Sequence, residues 1–394
     1  AQIPGIYVPS LYEVTYKEDG TIASFAPIYE DVPATIEKQL VMDFNDAPYP
    51  EAPVVPFIKA TQDRVVLEIQ RGCIRGCRFC QAGQLYRPVR ERDVEMLKDY
   101  AIKLLDNTGY EEISLSSLSS SDYSHLEELV NFLIDECRNK KVNISLPSLR
   151  IDAFSLDVME KVQDIKKSSL TFAPEAGSQR LRNVINKGLT EEVILNGAKL
   201  AFEGGWNRVK LYFMLGLPTE TDEDVLGIAD LVYKVIKTWK EHAVNKKRGL
   251  RVHVATAYFV PKPHTPFQWE KQITPEEYLR RCRLLKDHFY SKSIEYNYHA
   301  PDLSRLESVF ARGDRKLCDV IETAWRNGCK FDSWDDNFLF DVWLESFRKC
   351  GVDPLFYNSR KREYTEILPW DHLDYGIRKE FLIKESKKAY ESET

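Results

Sequence analysis

Gln70-Arg71-Gly72-Cys73-Ile74-Arg75-Gly76-Cys77-Arg78-Phe79-Cys80-Gln81 is the stretch on which the reading of this chain turns. Its cysteines stand at C-x3-C-x2-C spacing, so one short loop presents three thiolates together. Soft thiolates suit iron–sulfur centres, and three of them can ligate three irons of a cubane cluster. The fourth iron then lacks a ligand from this loop, which leaves an open position for chemistry. Gly72 and Gly76 let the loop bend tightly. Arg71, Arg75 and Arg78 are expected to offset the cluster's negative charge and lower the thiol pKa values. A structural zinc site wants a fourth Cys or His at regular spacing, and none is close in sequence. Unrelated buried thiols would not cluster this way, and a disulfide with a spare thiol is disfavoured in a reducing compartment.

Outward from the loop, a rhythm of strands and helices begins. Val65–Ile69 reads as a buried strand just before the cysteines, and a helical pattern occupies about 92–107. Glu112–Ser116 is the next strand, and Ser124-His125-Leu126-Glu127 reads as a capping box opening a helix to about 138. Val142–Leu146, Ser168–Ala173, Arg208–Met214 and Arg251–Phe259 complete the strands, with helices near 155–164, 178–186, 190–203 and 222–240 between them. Strands separated by helical crossovers imply a parallel sheet with helices packed outside it. Six such units are too few for a closed eight-fold barrel, so the expected fold is α/β, a partial (β/α)6 barrel. In such folds ligands gather at the carboxyl ends of the strands, where the cysteine loop lies.

Residues 1–64, rich in Pro and Tyr, are expected to be an extended wrapping segment. The core is expected to run over 65–270, where the rhythm stops. Residues 271–394 read as a mostly α-helical C-terminal region, with helix starts such as Thr274-Pro275-Glu276-Glu277 and stretches near 316–327 and 336–349.

The cysteine motif, with an aromatic just before its last Cys, resembles the signature of the radical S-adenosylmethionine (SAM) superfamily, and the similarity extends over about 65–270. The resemblance implies a 4Fe–4S cluster on Cys73, Cys77 and Cys80. It implies SAM chelated at the open iron and cleaved reductively to a 5′-deoxyadenosyl radical that abstracts hydrogen from substrate. A reductant protein such as a flavodoxin or ferredoxin is implied as partner. Phe79 matches the position used near the adenine. Ser117, in the run Leu115-Ser116-Ser117-Leu118-Ser119-Ser120-Ser121-Asp122, stands where many relatives carry a Gly-Gly-Glu-like segment that holds the SAM amino group; this chain has no Glu there. A Ser-rich turn and helix cap is the competing reading.

Ala173-Pro174-Glu175-Ala176-Gly177-Ser178-Gln179-Arg180 resembles the segment that meets the SAM ribose and carboxylate, and implies contacts from Glu175, Ser178 and Arg180. Ser148-Leu149-Arg150-Ile151-Asp152 could add a polar contact or a structural ion pair. Leu215-Gly216-Leu217-Pro218-Thr219-Glu220-Thr221 resembles the family's Gly-x-Pro-x-Glu-Thr turn, with Gly216 close to the adenine and a helix cap following. His264, in the Pro-rich segment 259–267, is a candidate acid or base, although a loop histidine is more often structural.

The order of these segments is similar to the cobalamin-linked branches, and most to a bacterial family in which a cobalamin-binding-type domain precedes the core. That similarity rests also on Ala300–Glu307, Ala311–Arg315 and Phe331–Asp336. No such domain lies in this chain. Because the chain opens with Ala1 rather than Met, it reads as an excised piece of a longer protein. Three functions compete. One is a cobalamin-assisted modification of a carbon centre in RNA, protein or a small molecule. Another is a methylthiotransferase-like or other RNA-modifying reaction, with Cys318, Cys329 and Cys350 as candidates for an auxiliary cluster, against their reading as buried thiols. The third is an iron–sulfur sensing module without turnover.

The 394 residues suffice for a large core, and the composition is that of a globular chain. A net charge of −6 argues against bulk nucleic-acid binding, and Lys246-Lys247-Arg248 reads as a solvated basic loop. No apolar run is long enough for a membrane span, and reduced cysteines fit a cytoplasmic setting. Trp334, Phe338, Phe340 and Trp343 could stack on a base, but their near-helical spacing favours a core role.

Overall fold

The computed structural model describes residues 3–145 and 170–391. The readings at Ser148, Arg150 and Asp152, and the helix near 155–164, lie outside the described residues. In chain order the principal strands are β1 (Tyr12–Tyr16), β2 (Ile22–Pro27), β3 (Val65–Glu68), β4 (Glu112–Ser116), β5 (Asn143–Ser145), β6 (Leu170–Glu175), β7 (Arg208–Leu215), β8 (Arg251–Tyr258) and β9 (Ile294–Tyr298). The helices are α1 (Gln81–Leu85), α2 (Val94–Thr108), α3 (Leu126–Lys140), α4 (Gln179–Val184), α5 (Glu191–Glu203), α6 (Asp222–His242) and α7 (Pro275–Asp287). They continue with α8 (Pro301–Arg312), α9 (Leu317–Arg326), α10 (Phe340–Lys349), α11 (Pro354–Asn358) and α12 (Lys379–Glu391).

Strands β3, β4 and β5 pair in parallel in chain order, and so do β6 to β9. Within each of these two sets, a strand feeds a crossover that returns to lay the next strand beside it, the connection a right-twisted strand favours. The result is the expected α/β partial barrel. Alternation explains why these segments are strands: in β7 the side chains of Val209, Leu211, Phe213 and Leu215 are buried, and the intervening ones are less so. The buried set packs with Ile194, Phe202, Val225, Val232 and Val235 of α5 and α6 in one apolar core. A second core joins Val65, Leu67, Ile69, Ile113 and Leu115 to the buried faces of α2 and α3.

Sequence and structure part at three places. The rhythm does not stop at 270: α7 leads into β9, which adds a parallel strand beside β8. Its alternation is masked because only one edge is paired and most of its residues stay exposed or half-buried. The N-terminal segment also pairs with itself, since its extended strands β1 and β2 form an antiparallel hairpin. Ile36–Glu37 then pairs in parallel with Leu373–Asp374, so the two ends of the chain clasp each other. Finally, Ser124 does not cap α3. That helix starts at Leu126 with His125 at the cap position and no side-chain cap bond. The 3-10 turn Ser120–Asp122 and buried Tyr123, whose hydroxyl donates to the Arg92 carbonyl at 2.9 Å, carry the chain past the box.

The expected helix starts at Thr221 and Thr274 are present. Thr274 accepts from the Glu277 N–H, and Thr221 forms a full capping box with Asp224. Beyond β9, helices α8 to α11 supply a third core around Leu306, Val309, Val320, Trp343 and Phe347. Trp343 is thus core, whereas Trp334 is exposed.

One contact fixes how the β6–α4 turn meets α6. A Cβ on Gly177 would lie 2.2 Å from the Ile228 nitrogen and 2.6 Å from the Asp224 carbonyl oxygen. These are backbone atoms and cannot swing aside. Gly177→Ala is therefore expected to cost about 3 kcal/mol, read as a lower urea midpoint.

Candidate active site

The cysteine loop is a closed excursion at the carboxyl end of β3. Gln70–Arg71 pairs antiparallel with Arg90–Glu91, pinning both ends of the loop. Gly72 turns the chain at φ +92°, where a Cβ would lie 2.7 Å from the Tyr86 carbonyl oxygen. Cys80 opens α1 as its N-cap, its Sγ accepting the Gly83 N–H at 3.3 Å. The Arg75 N–H points at Cys73 Sγ at 3.4 Å. Cys77 is buried and Cys73 and Cys80 are half-buried. Burial pushes the Cys80 thiol up, against the Gly83 N–H, and Cys73 pushes it the same way. Three thiols, two of them with backbone N–H donors at sulfur, are a donor set that fits a cubane cluster.

The arginines of the loop do something other than expected. Each has a carboxylate: Glu68 takes Arg71 at 2.7 and 2.9 Å, Asp122 takes Arg75, and Glu385 takes Arg78. Their charge is spent on anchoring the loop rather than left for a cluster. Arg78, with a side chain 2% exposed, also donates to the carbonyls of Asn183 and Val184 at 3.1 and 2.9 Å.

The turn after α4 docks on the same loop. Asn186 Nδ2 donates to the Gly76 carbonyl at 2.9 Å, and Lys187 reaches Glu175 at 3.1 Å. Lys187 also lies 5.8 Å from the centre of the Phe79 ring, which packs with Ala176, Leu181, Val184 and Ile185. Glu175, at the end of β6, has φ +68° and sits opposite Phe213 just past a register shift. Burial raises its pKa, and Lys187 opposes that. Phe79, Cys80, Glu175 and Lys187 therefore share one corner. Asn186 and Lys187 escaped the sequence reading because Asn-Lys-Gly after a helix is an ordinary turn signal.

Other expected residues are held elsewhere. Ser178 caps α4 by accepting the Leu181 N–H at 3.0 Å and donates its proton to Asp224. Arg180 pairs with Asp224 and donates to the Thr219 carbonyl at 2.8 Å. Both serve the junction with α6, because the Thr221 capping box brings a carboxylate within their reach. Gly216 has φ +92°, its N–H donates to Glu220 at 2.6 Å, and its Cβ position abuts Ile273 at 2.9 Å. Glu220 is buried and paired with Arg281, so this turn is braced from within. Ser117 bonds to Ser120 at 2.9 Å and lines a cavity of about 790 Å³, together with Gln70, Arg71 and Gly72.

His264 also has φ +57° and packs on Tyr375 at 4.7 Å. Burial pushes its imidazole down to about 4, and burial with Arg315 nearby does the same for His372. The unfolded chain protonates these rings near pH 6.5, the folded one not until about 4. Stability should therefore fall as pH drops through that window, by about 2–3 kcal/mol per histidine at most. His264→Asn, which tolerates the same backbone, should flatten part of that slope in urea titrations from pH 7 to 4.

Cys318, Cys329 and Cys350 are not gathered around a common point. Among the described residues no three His, Cys, Asp or Glu side chains already stand together around a metal position, the loop thiols included, so the fit of Cys73, Cys77 and Cys80 to a cluster rests on their number, kind and shared loop. Cys329 is buried in the third core, Cys350 is half-buried against that core and Cys318 is exposed. No helix among the described residues is long and apolar enough to cross a membrane.

The family model of the radical SAM superfamily matches residues 67–232, the stretch holding the cysteine loop and the strands from β3 to β7. This chain carries a radical SAM domain. It is 34% identical over 287 residues to the uncharacterised protein MJ0966 of Methanocaldococcus jannaschii, covering 73% of this chain and 60% of that protein. It is 28% identical to a putative methylthiotransferase of the same organism, over 43% of this chain and 38% of the relative. It is 23% identical to the threonylcarbamoyladenosine tRNA methylthiotransferase MtaB of Aquifex aeolicus, over 68% of this chain and 63% of the relative. The chain thus spans less than two thirds of the length of each of these relatives. Among solved structures it is similar to the radical SAM methyltransferase TsrM of Kitasatospora setae, with 13% identity and a TM-score of 0.38 over 49% of this chain and 35% of that one. It is likewise similar to methylornithine synthase, with 14% identity and a TM-score of 0.38 over 62% and 68% of the two chains.

Proposed function

We propose that this radical SAM domain cleaves SAM reductively and modifies a carbon centre of RNA, protein or a small molecule. The observation that carries the reading is the three-thiol loop at the carboxyl end of the first parallel strand, inside the stretch that matches the superfamily. Cys73, Cys77 and Cys80 would hold a 4Fe–4S cluster. Bound there, a cluster would supply the single electron for reductive cleavage of SAM to methionine and a hydrogen-abstracting 5′-deoxyadenosyl radical.

The chain's own residues do the rest. Asn186 and Arg78 fix the loop against the α4 turn, so the three thiols keep their spacing. Glu175 and Lys187 place a buried ion pair beside Cys80, a polar contact for an amino-acid moiety. Phe79 and its apolar neighbours floor that corner and keep water from it. Ser117 offers a hydroxyl at the end of β4. A flavodoxin- or ferredoxin-like protein in the cytoplasm is the proposed electron source, and cobalamin would come from a domain outside this chain.

A methylthiotransferase-like reaction is the second reading, favoured by relatives that carry that name. Electron paramagnetic resonance of the anaerobically reconstituted, dithionite-reduced protein tests the first step. A 4Fe–4S signal that changes on adding SAM supports the proposal, and its absence refutes it. Iron near four per chain counts against an auxiliary cluster and so against the second reading.

A further inference from the structure

Beside the cysteine loop lies the cavity of about 790 Å³, a volume suited to a ligand the size of a nucleotide. Its wall includes Glu68, Gln70 and Ser116, from the carboxyl ends of β3 and β4, and the residues that roof it come from 38–41 and Tyr375. Leu67, Ile69 and Leu115 point the other way, into the core with α2 and α3. The cavity therefore lies on the concave side of the sheet, where a substrate would meet the loop.

Its charge is lopsided. The ionic lining residues are Lys38, Arg71, Arg90 and Glu68, three cations against one carboxylate, an excess of two positive charges. Glu68 takes Nε and Nη2 of Arg71 and leaves Nη1 outside that pair. Lys38 spends two donors on the carbonyls of Leu85 and Arg87, at 2.6 and 2.7 Å, and has three. Arg90 is held by the Pro88 and Val41 carbonyls, which orient it without cancelling its charge. Burial and the neighbouring Arg90 hold the Lys38 ammonium below the usual lysine range, a cost that an anion would relieve. Gln70, 2% exposed, donates to the Ser119 carbonyl at 2.7 Å, while its Oε1 has no partner among the described residues. SAM itself, with a sulfonium and an ammonium against one carboxylate, is a net cation that such a lining repels.

We propose that this cavity binds the phosphate of a phosphorylated substrate through Arg71 and Lys38, with Arg90 adding charge and Gln70 Oε1 accepting from a ligand N–H or O–H. The excess of two charges matches a phosphate monoester dianion better than a single carboxylate. This deepens the function proposed above and rests on it, because the cavity is a substrate site only if the loop beside it is catalytic.

The test is calorimetric titration of inorganic phosphate into the anaerobically reconstituted full chain at fixed ionic strength, with acetate as control. The same samples are scored by paramagnetic resonance. Saturable phosphate binding is expected, with acetate much weaker. Lys38→Met should weaken it roughly tenfold or more, the loss of one charge-assisted hydrogen bond. Glu68→Gln, which removes the lone carboxylate, should tighten it roughly threefold or more, an effect that misfolding cannot mimic. No saturable binding, weaker binding by Glu68→Gln, acetate as tight as phosphate, or displacement of phosphate by SAM would each overturn the proposal. If phosphate fails while the SAM-responsive signal persists, only this inference falls. If phosphate binds but no cluster signal forms, the cofactor reading falls instead.

Discussion

Single replacement of Cys73, Cys77 or Cys80 by Ala is expected to abolish the SAM-responsive cluster signal and cut SAM cleavage by roughly a thousandfold or more. That factor corresponds to about 4 kcal/mol of barrier. Three thiolates from one loop are the minimum the proposed cluster has, so losing any one leaves a second iron without protein ligation. The fold should survive, since Cys73 and Cys80 are half-buried and a local change there costs on the order of 1 kcal/mol. The control is Cys329→Ala in the third core, which should lower stability by about 1–2 kcal/mol and leave iron content and signal unchanged. A cluster signal that persists after all three loop cysteines are replaced would refute the assignment.

Replacing Arg78 by Met is expected to destabilise the folded chain by about 3–5 kcal/mol, the cost of breaking a buried ion pair from one side. Met keeps the apolar stem and removes the guanidinium. That group joins the cysteine loop to the end of α4 and, through Glu385 at 3.1 and 3.2 Å, to α12, about three hundred residues away in sequence. Without it, half-buried Glu385 keeps only Lys388 as a cation among the described residues, and the Asn183 and Val184 carbonyls each lose a donor. Urea unfolding should show a lower midpoint at nearly unchanged slope. Arg78→Met with Glu385→Gln should be less damaging than the sum of the two single changes, because each removes the same interaction. Additive losses would mean that the pair does not couple the loop to α12. The same variant should retain less iron after reconstitution, since the loop loses one of its anchors to the α4 turn.

Much of this architecture is written in local sequence. Hydrophobic alternation in Val209, Leu211, Phe213 and Leu215 and the 3.6-residue stripe of α6 demand burial on one face, whatever surrounds them. The caps at Thr221 and Thr274 are equally local, each satisfied within three residues. The cysteine spacing lies in one loop, so its chemistry could be read without knowing what packs on it. β9 was less visible, because a strand paired along one edge buries too little to impose a clear pattern.

What the tertiary structure alone decided is which charges meet. Arg71, Arg75 and Arg78 look alike in the sequence, yet their carboxylates lie three, 47 and 307 positions away. Ser178 and Arg180 resemble ligand-binding residues until the α6 cap places Asp224 between them. Lys187 becomes part of the site only because the α4 turn folds back onto the loop. Periodicity and capping are satisfied within a few residues and leave a trace in sequence. Pairing of buried charges depends on distances that close only when the chain has folded, and the cost of leaving one unpaired fixes the outcome there.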